Sequence, residues 1–131
     1  MSQARLAQRI KDYSQAVLRL EEACQQPFSS YLRDAVIQRF EFCWELAWNM
    51  LKLQLAELGV AVLNPRDTFR EALKVGLIHD GIVWTEMQRM RNLTSHTYDE
   101  TLAQQVYETI VKKGLAKLKG LAQDAAAWSD V

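Results

Sequence analysis

The chain has 131 residues, 49% of them apolar, with 16 Lys and Arg set against 16 Asp and Glu for a formal net charge of zero. That composition supports one self-sufficient core, expected to span residues 1–131 as a single domain, and excludes a largely disordered chain. A zero balance gives no global field to gather nucleic acid, so any RNA contact has to come from a local patch.

Cys24 and Cys43 fall in apolar helix-like patterns, where a thiol acts as a small hydrophobe. No CxxC spacing or disulfide framework accompanies them, so neither a metal nor a cofactor is expected. The start, MSQARLAQRIKDY, lacks the apolar core of a secretory signal, and no run approaches the roughly 18 apolar residues that cross a bilayer. The expectation is a cytoplasmic protein that makes no membrane contact.

Leu6, Ile10, Tyr13, Val17, Leu20 and Cys24 recur at spacings of three and four, which predicts an amphipathic helix from about Gln3 to Gln25. Gln26-Pro27-Phe28-Ser29 supplies a breaker and a cap. A second helix then runs to Leu58, with Gly59 as its left-handed stop. In its middle, FEFCWELAWNMLKLQL is apolar around most of the circumference, as in a central helix packed on several sides.

Asn64-Pro65 reads as a cap and first-turn proline, opening a short third helix through Lys74 with Gly76 beyond it. Asp80 caps a fourth helix carrying Ile82, Val83, Trp84, Met87, Met90 and Leu93. A last helix is expected from about Asp99 to Trp128. No segment alternates with the period of two that a strand requires, and no repeat is visible. The fold class is therefore all-α, a mostly antiparallel bundle.

Residues 88–99, QRMRNLTSHTYD, break the pattern, because Asn92, Thr94, Ser95, Thr97 and Asp99 have short polar side chains that compete for the backbone. On a continuing helix with Arg91 at zero, Ser95 falls near 40°, Asn92 near 100°, His96 near 140° and Tyr98 near −20°, an arc of roughly 160°. Met90, Leu93 and Thr97 lie on the other side. One polar surface is thus geometrically available.

Its chemistry is specific. A histidine titrates near neutrality and moves protons, and an arginine grips phosphate oxygens bidentately. Together they suit RNA cleavage without a metal: His96 handles the 2′-hydroxyl or leaving-group proton, and Arg91 stabilises charge building on phosphorus. One histidine does not easily do both jobs, so the mechanism calls for a homodimer with facing motifs. From spacing alone, however, such a pair is more often a salt-bridging and a capping residue. Thr-Ser-His-Thr equally reads as the junction before an Asp99 cap.

Three separated segments, RFEFCWELAWNMLK, NPRDTFREALKVGLI and RNLTSHTYDE, occur in that order. Together they resemble the nucleotidyltransferase substrate-binding protein family of the HEPN superfamily, over nearly the whole chain from about Tyr13 to Ile110. The resemblance implies an antiparallel up-and-down bundle of four to five helices that dimerises, with an arginine–histidine motif forming a composite ribonuclease site. In related toxin–antitoxin pairs a minimal nucleotidyltransferase partner attaches AMP to a tyrosine two residues after that histidine. Arg91, His96 and Tyr98 match those three positions, and Asn92 matches the polar residue after the arginine. The resemblance also leaves open a non-catalytic subunit that presents substrate to the nucleotidyltransferase. A Gly-rich nucleotide loop is absent, so this chain is not expected to be the transferase itself.

Gln38, Glu41, Glu45 and Lys52 form a polar stripe on the second helix. Two carboxylates four apart repel, so a nearby cation helps them, and Glu41 or Glu45 is expected to orient Arg91 from across the bundle. An ordinary solvated seam fits that stripe as well. Trp44, Trp48 and Trp84 read as core or dimer contacts. His79 reads as a loop residue with no role. Lys112, Lys113, Lys117 and Lys119 suit the C-terminal end of a helix dipole better than an RNA patch.

Overall fold

The computed structural model describes residues 2–128. Five helical rods form an all-α, antiparallel up-and-down bundle, and no strand occurs among the described residues. They are α1 (Ser2–Cys24), α2 (Ser30–Glu57), α3 (Pro65–Val75), α4 (Gly81–Leu93), and a last rod of α5 (Glu100–Thr109) and α6 (Leu115–Ala125) joined by a π turn. None of these helices is long and apolar enough to cross a membrane.

The boundaries follow local chemistry. The Ser29 hydroxyl accepts the Leu32 N–H at 2.9 Å, and the Asn64 side chain accepts that of Asp67 at 2.8 Å ahead of Pro65. Asp99 accepts from Thr101 and Leu102, which satisfies two of the orphan donors that every helix start exposes. Gly59 and Gly76 adopt left-handed conformations at φ 83° and 82°, as the helix stops require.

α2 touches α1, α3, α4 and α5, which is why its sequence is apolar nearly all round. Its Trp44 stacks on Phe69 of α3 at 4.2 Å between centroids, and Phe69 stacks on Trp84 of α4 at 5.5 Å. Trp44 and Trp84 are thus core residues that tie α3 and α4 to the central helix. Tyr13 of α1 is fully buried and donates to the Leu118 carbonyl of α6 at 2.7 Å.

Two features depart from the sequence expectation. The last rod is not one uniform α-helix, because Ile110–Gly114 forms a π turn. Ile110 and Gly114 are both buried, and a side chain at Gly114 would place its Cβ 3.2 Å from the Met87 sulfur. Gly114 thus lets the rod pack closely on Met87 of α4 at this turn. The rod also ends at Ala125, with a turn through Trp128.

The second departure lies at the polar run. α4 stops at Leu93, Thr94–His96 forms a 3-10 turn, and a turn follows at residues 97–98. The cause is side-chain competition for the backbone: the Thr94 hydroxyl donates to the Arg91 carbonyl at 2.8 Å and the Thr97 hydroxyl to that of Thr94 at 3.0 Å. Arg33, buried at the start of α2, holds Glu100 at 2.7 Å and Gln104 at 3.2 Å, which fixes the start of α5 just after that turn.

Candidate functional site

Arg91 lies in the last turn of α4 with its side chain 31% exposed. Its Nη2 donates to Glu45 Oε1 at 3.2 Å, and its Nη1 donates to Thr94 Oγ1 at 3.0 Å and lies 3.7 Å from Glu41 Oε2. Both glutamates of the α2 stripe therefore face the arginine, with Glu45 the closer. The Trp48 indole donates to Glu45 Oε2 at 3.0 Å, so the carboxylate bridges Trp48 and Arg91.

Thr94 closes a second loop. Its hydroxyl accepts from the Arg91 guanidinium while donating to the Arg91 carbonyl, which ties the side chain to its own backbone. Arg91 Nε is buried and without a partner. Of the five guanidinium hydrogens, the bonds to Thr94 and Glu45 use two, and Glu41 lies near Nη1 as well.

His96 and Tyr98 follow in the 3-10 turn and the turn after it, both exposed, with ring centroids 6.2 Å apart in an edge arrangement. Tyr98 is 85% exposed, so its hydroxyl is open to a reagent or a partner. Asn92 and Ser95 are also exposed. The helical wheel loses meaning after Leu93, yet the division between polar and core-facing residues survives, because Met90 is fully buried and Leu93 and Thr97 are half-buried.

Thr94 and Trp48 were not singled out for this site by sequence reasoning. A threonine three residues after an arginine at a helix end is a signal for back-bonding to the chain, and an indole three residues after a carboxylate on a helix is within its reach. The remaining candidates lie elsewhere. His79 is exposed ahead of α4, beside Lys117 and Asp124. Lys112, Lys113, Lys117 and Lys119 are each engaged, with Glu108, Glu86, Asp80 and Glu21 respectively, so the basic run serves ion pairs between and along helices.

No cluster of three His, Cys, Asp or Glu side chains suited to a metal occurs among the described residues. Burial pushes the Cys43 thiol up to about 12 and the Cys24 thiol up to about 11, with Cys24 and Glu21 respectively adding to the shift. Neither thiol is a nucleophile near neutral pH. The chemistry on offer is therefore that of an anchored arginine followed, five and seven residues on, by an exposed histidine and an exposed phenol.

A helical bundle that anchors one arginine beside an exposed His-x-Tyr turn is the class of molecule these features define. The family described as nucleotidyltransferase substrate binding protein like matches residues 8–127, and the chain belongs to that family. It is 43% identical over 79 residues to the probable ribonuclease HepT of Haemophilus influenzae. The match covers 56% of this chain and 54% of that protein, so it spans about half the length of the curated relative.

Two solved structures share the fold. A protein of Thermus thermophilus, ttk003001694, superposes with a TM-score of 0.74 at 30% identity, over 91% of this chain and 99% of its own. HI0074 of Haemophilus influenzae, described as the fold of a substrate binding domain of a nucleotidyltransferase, gives 0.67 at 31% identity, over 95% and 98%.

Proposed function

We propose that this chain is the HEPN-type subunit of a two-component nucleotidyltransferase toxin–antitoxin system, acting in the cytoplasm as a metal-independent endoribonuclease. Arg91 and His96 are its catalytic pair, and Asn92, Glu41 and Glu45 support them. Tyr98 is the acceptor whose nucleotidylation by the partner enzyme switches it off. The observation that carries this reading is the exposure of His96 and Tyr98, rings 6.2 Å apart, just beyond an arginine pinned by carboxylates from another helix.

In this mechanism His96 of one copy takes the proton of a ribose 2′-hydroxyl, whose oxygen attacks the adjacent phosphorus. The 5′-oxygen leaves with a proton from His96 of a second copy, so the products are a 2′,3′-cyclic phosphate and a 5′-hydroxyl. Arg91 donates Nη hydrogens to the oxygens that gain charge in between. The line Ile82, Thr85, Arg89 and Asn92 on α4 is exposed and runs into His96. In this reading the two copies meet along this face. A nucleotidyl group on Tyr98 adds bulk and a phosphodiester charge next to His96, enough to block substrate.

A second reading, a non-catalytic substrate-binding subunit of a minimal nucleotidyltransferase, is favoured by the description given to HI0074. Expression of the chain alone separates the two. The ribonuclease reading predicts growth arrest that His96→Ala abolishes and co-expression of the nucleotidyltransferase relieves; unimpeded growth with soluble wild-type protein supports the binding subunit.

A further inference from the structure

Arg91 does not present a free positive charge. Glu45 at 3.2 Å and Glu41 at 3.7 Å bring the three-residue sum to −1. A phosphodiester arriving there needs another cation nearby.

The groove beside Arg91, of about 750 Å³, is lined by two from α3, of which Arg70 is held by Asp67 and Glu71. Arg66 is exposed in the first turn of α3, lines the same groove and makes no ion pair among the described residues. Its location works against stability, because the start of a helix carries the positive end of the dipole. The acid that could balance it, Asp67, is held by Arg70 at 3.0 Å. What sets Arg66 apart from other exposed arginines without an ion pair among the described residues, such as Arg5 and Arg89, is that it opens into the groove that Arg91 lines. Gln88 and Asn92 of α4 line the groove with neutral amide donors.

We propose that Arg66, with Gln88 and Asn92, forms a subsite for the backbone phosphate next to the scissile one, so that single-stranded RNA lies along the groove and delivers the neighbouring phosphodiester to Arg91. The subsite rests on the ribonuclease reading. Single-stranded RNA is the occupant because attack by the 2′-oxygen requires it to line up with the phosphorus and the departing 5′-oxygen. A stacked A-form duplex does not offer that alignment. Phosphate recognition of this kind is independent of sequence and depends on salt.

The test uses the full chain carrying His96→Ala, which keeps the oligonucleotide intact, and follows binding of a short fluorescent single-stranded oligoribonucleotide across a series of salt concentrations. Adding Arg66→Ala is expected to weaken binding about tenfold at low salt and to reduce the slope of log K against log salt by about 0.7. Arg5→Ala, which removes an exposed cation from α1, is expected to change neither. Arg66→Ala should fold with an unchanged or slightly higher Tm, since it removes a cation from the wrong end of a helix.

Equal affinity and slope with and without Arg66, a loss of the same size from Arg5→Ala, or no RNA binding by the parent overturns the subsite. Arg66-dependent binding by a protein whose wild type never cuts RNA supports the subsite and removes the ribonuclease reading. Cleavage by wild type with Arg66-independent binding does the reverse.

Discussion

Glu45 on α2 and Arg91 on α4, 46 residues apart in sequence, meet at 3.2 Å, and the second oxygen of the same carboxylate accepts the Trp48 indole N–H at 3.0 Å. Both members of the ion pair are partly exposed, so its worth to stability is at most about 1 kcal/mol. Its larger effect is on where the guanidinium points. Glu45→Gln is therefore expected to lower RNA cleavage about tenfold while moving the urea midpoint little, with a smaller loss for Glu41→Gln at its longer distance. Parallel cleavage rates and urea titrations of the two variants check this.

Thr94 behaves differently because it is buried and makes two bonds with one residue. Thr94→Val keeps the shape but removes one of the two bonds to the Arg91 carbonyl, which still accepts the Thr94 N–H, and takes one acceptor from a guanidinium that is partly open to water. The expected loss is about 1 kcal/mol of stability, together with reduced cleavage, and Thr94→Ser should restore most of both. Chemical denaturation and activity measured on the same preparations decide it.

Tyr13 joins α1 to α6 through its bond to the Leu118 carbonyl. Tyr13→Phe removes the hydroxyl with little change of shape, and a loss of about 1 kcal/mol is expected from equilibrium unfolding. Activity should not change, because the bond lies in the core away from the Arg91 turn.

The buried thiol at Cys43 couples stability to alkaline pH. Its pKa is raised by burial from 9.0 to about 12, so the folded state disfavours the thiolate relative to the unfolded chain. Stability from this group is fully present below pH 9 and is lost progressively as pH rises from 9 towards 12. Tyr13, raised well above 10.0 by its burial, adds to the decline further up. Cys43→Ala should lower stability at neutral pH, since it leaves a small cavity, yet flatten the fall between pH 9 and 12. Thermal melts across that range in wild type and variant provide the comparison.

Features set by neighbours in sequence were readable before the structure. Ser29, Asn64, Asp80 and Asp99 each accept from a backbone N–H at a helix start, and the Gly59 and Gly76 stops follow from backbone sterics alone. The central place of α2 was readable because its apolar residues circle the helix. The π turn was not, because nothing in Ile110–Gly114 sets it apart locally from the α-helix on either side.

The candidate site divides the same way. Arg91, Asn92, Ser95, His96 and Tyr98 share a solvent-facing segment, as residue spacing implied. Their continuation on one α-helix failed at Thr94, where hydroxyl bonds to the backbone tighten the chain into a 3-10 turn. The choice between Glu41 and Glu45 depended on how α4 sits against α2. So did the placing of Arg66 and Arg91 on one groove, since α3 and α4 are brought together by tertiary packing that includes the Trp44, Phe69 and Trp84 stack.

The most direct test of the central claim is RNA cleavage in the presence of EDTA by purified, unmodified wild type, Arg91→Ala and His96→Ala, each first shown to be folded. The account predicts that wild type alone cuts, leaving 2′,3′-cyclic phosphate ends. Folded wild type that leaves a varied set of RNAs intact, or a His96→Ala variant that cuts as well as wild type, would contradict it.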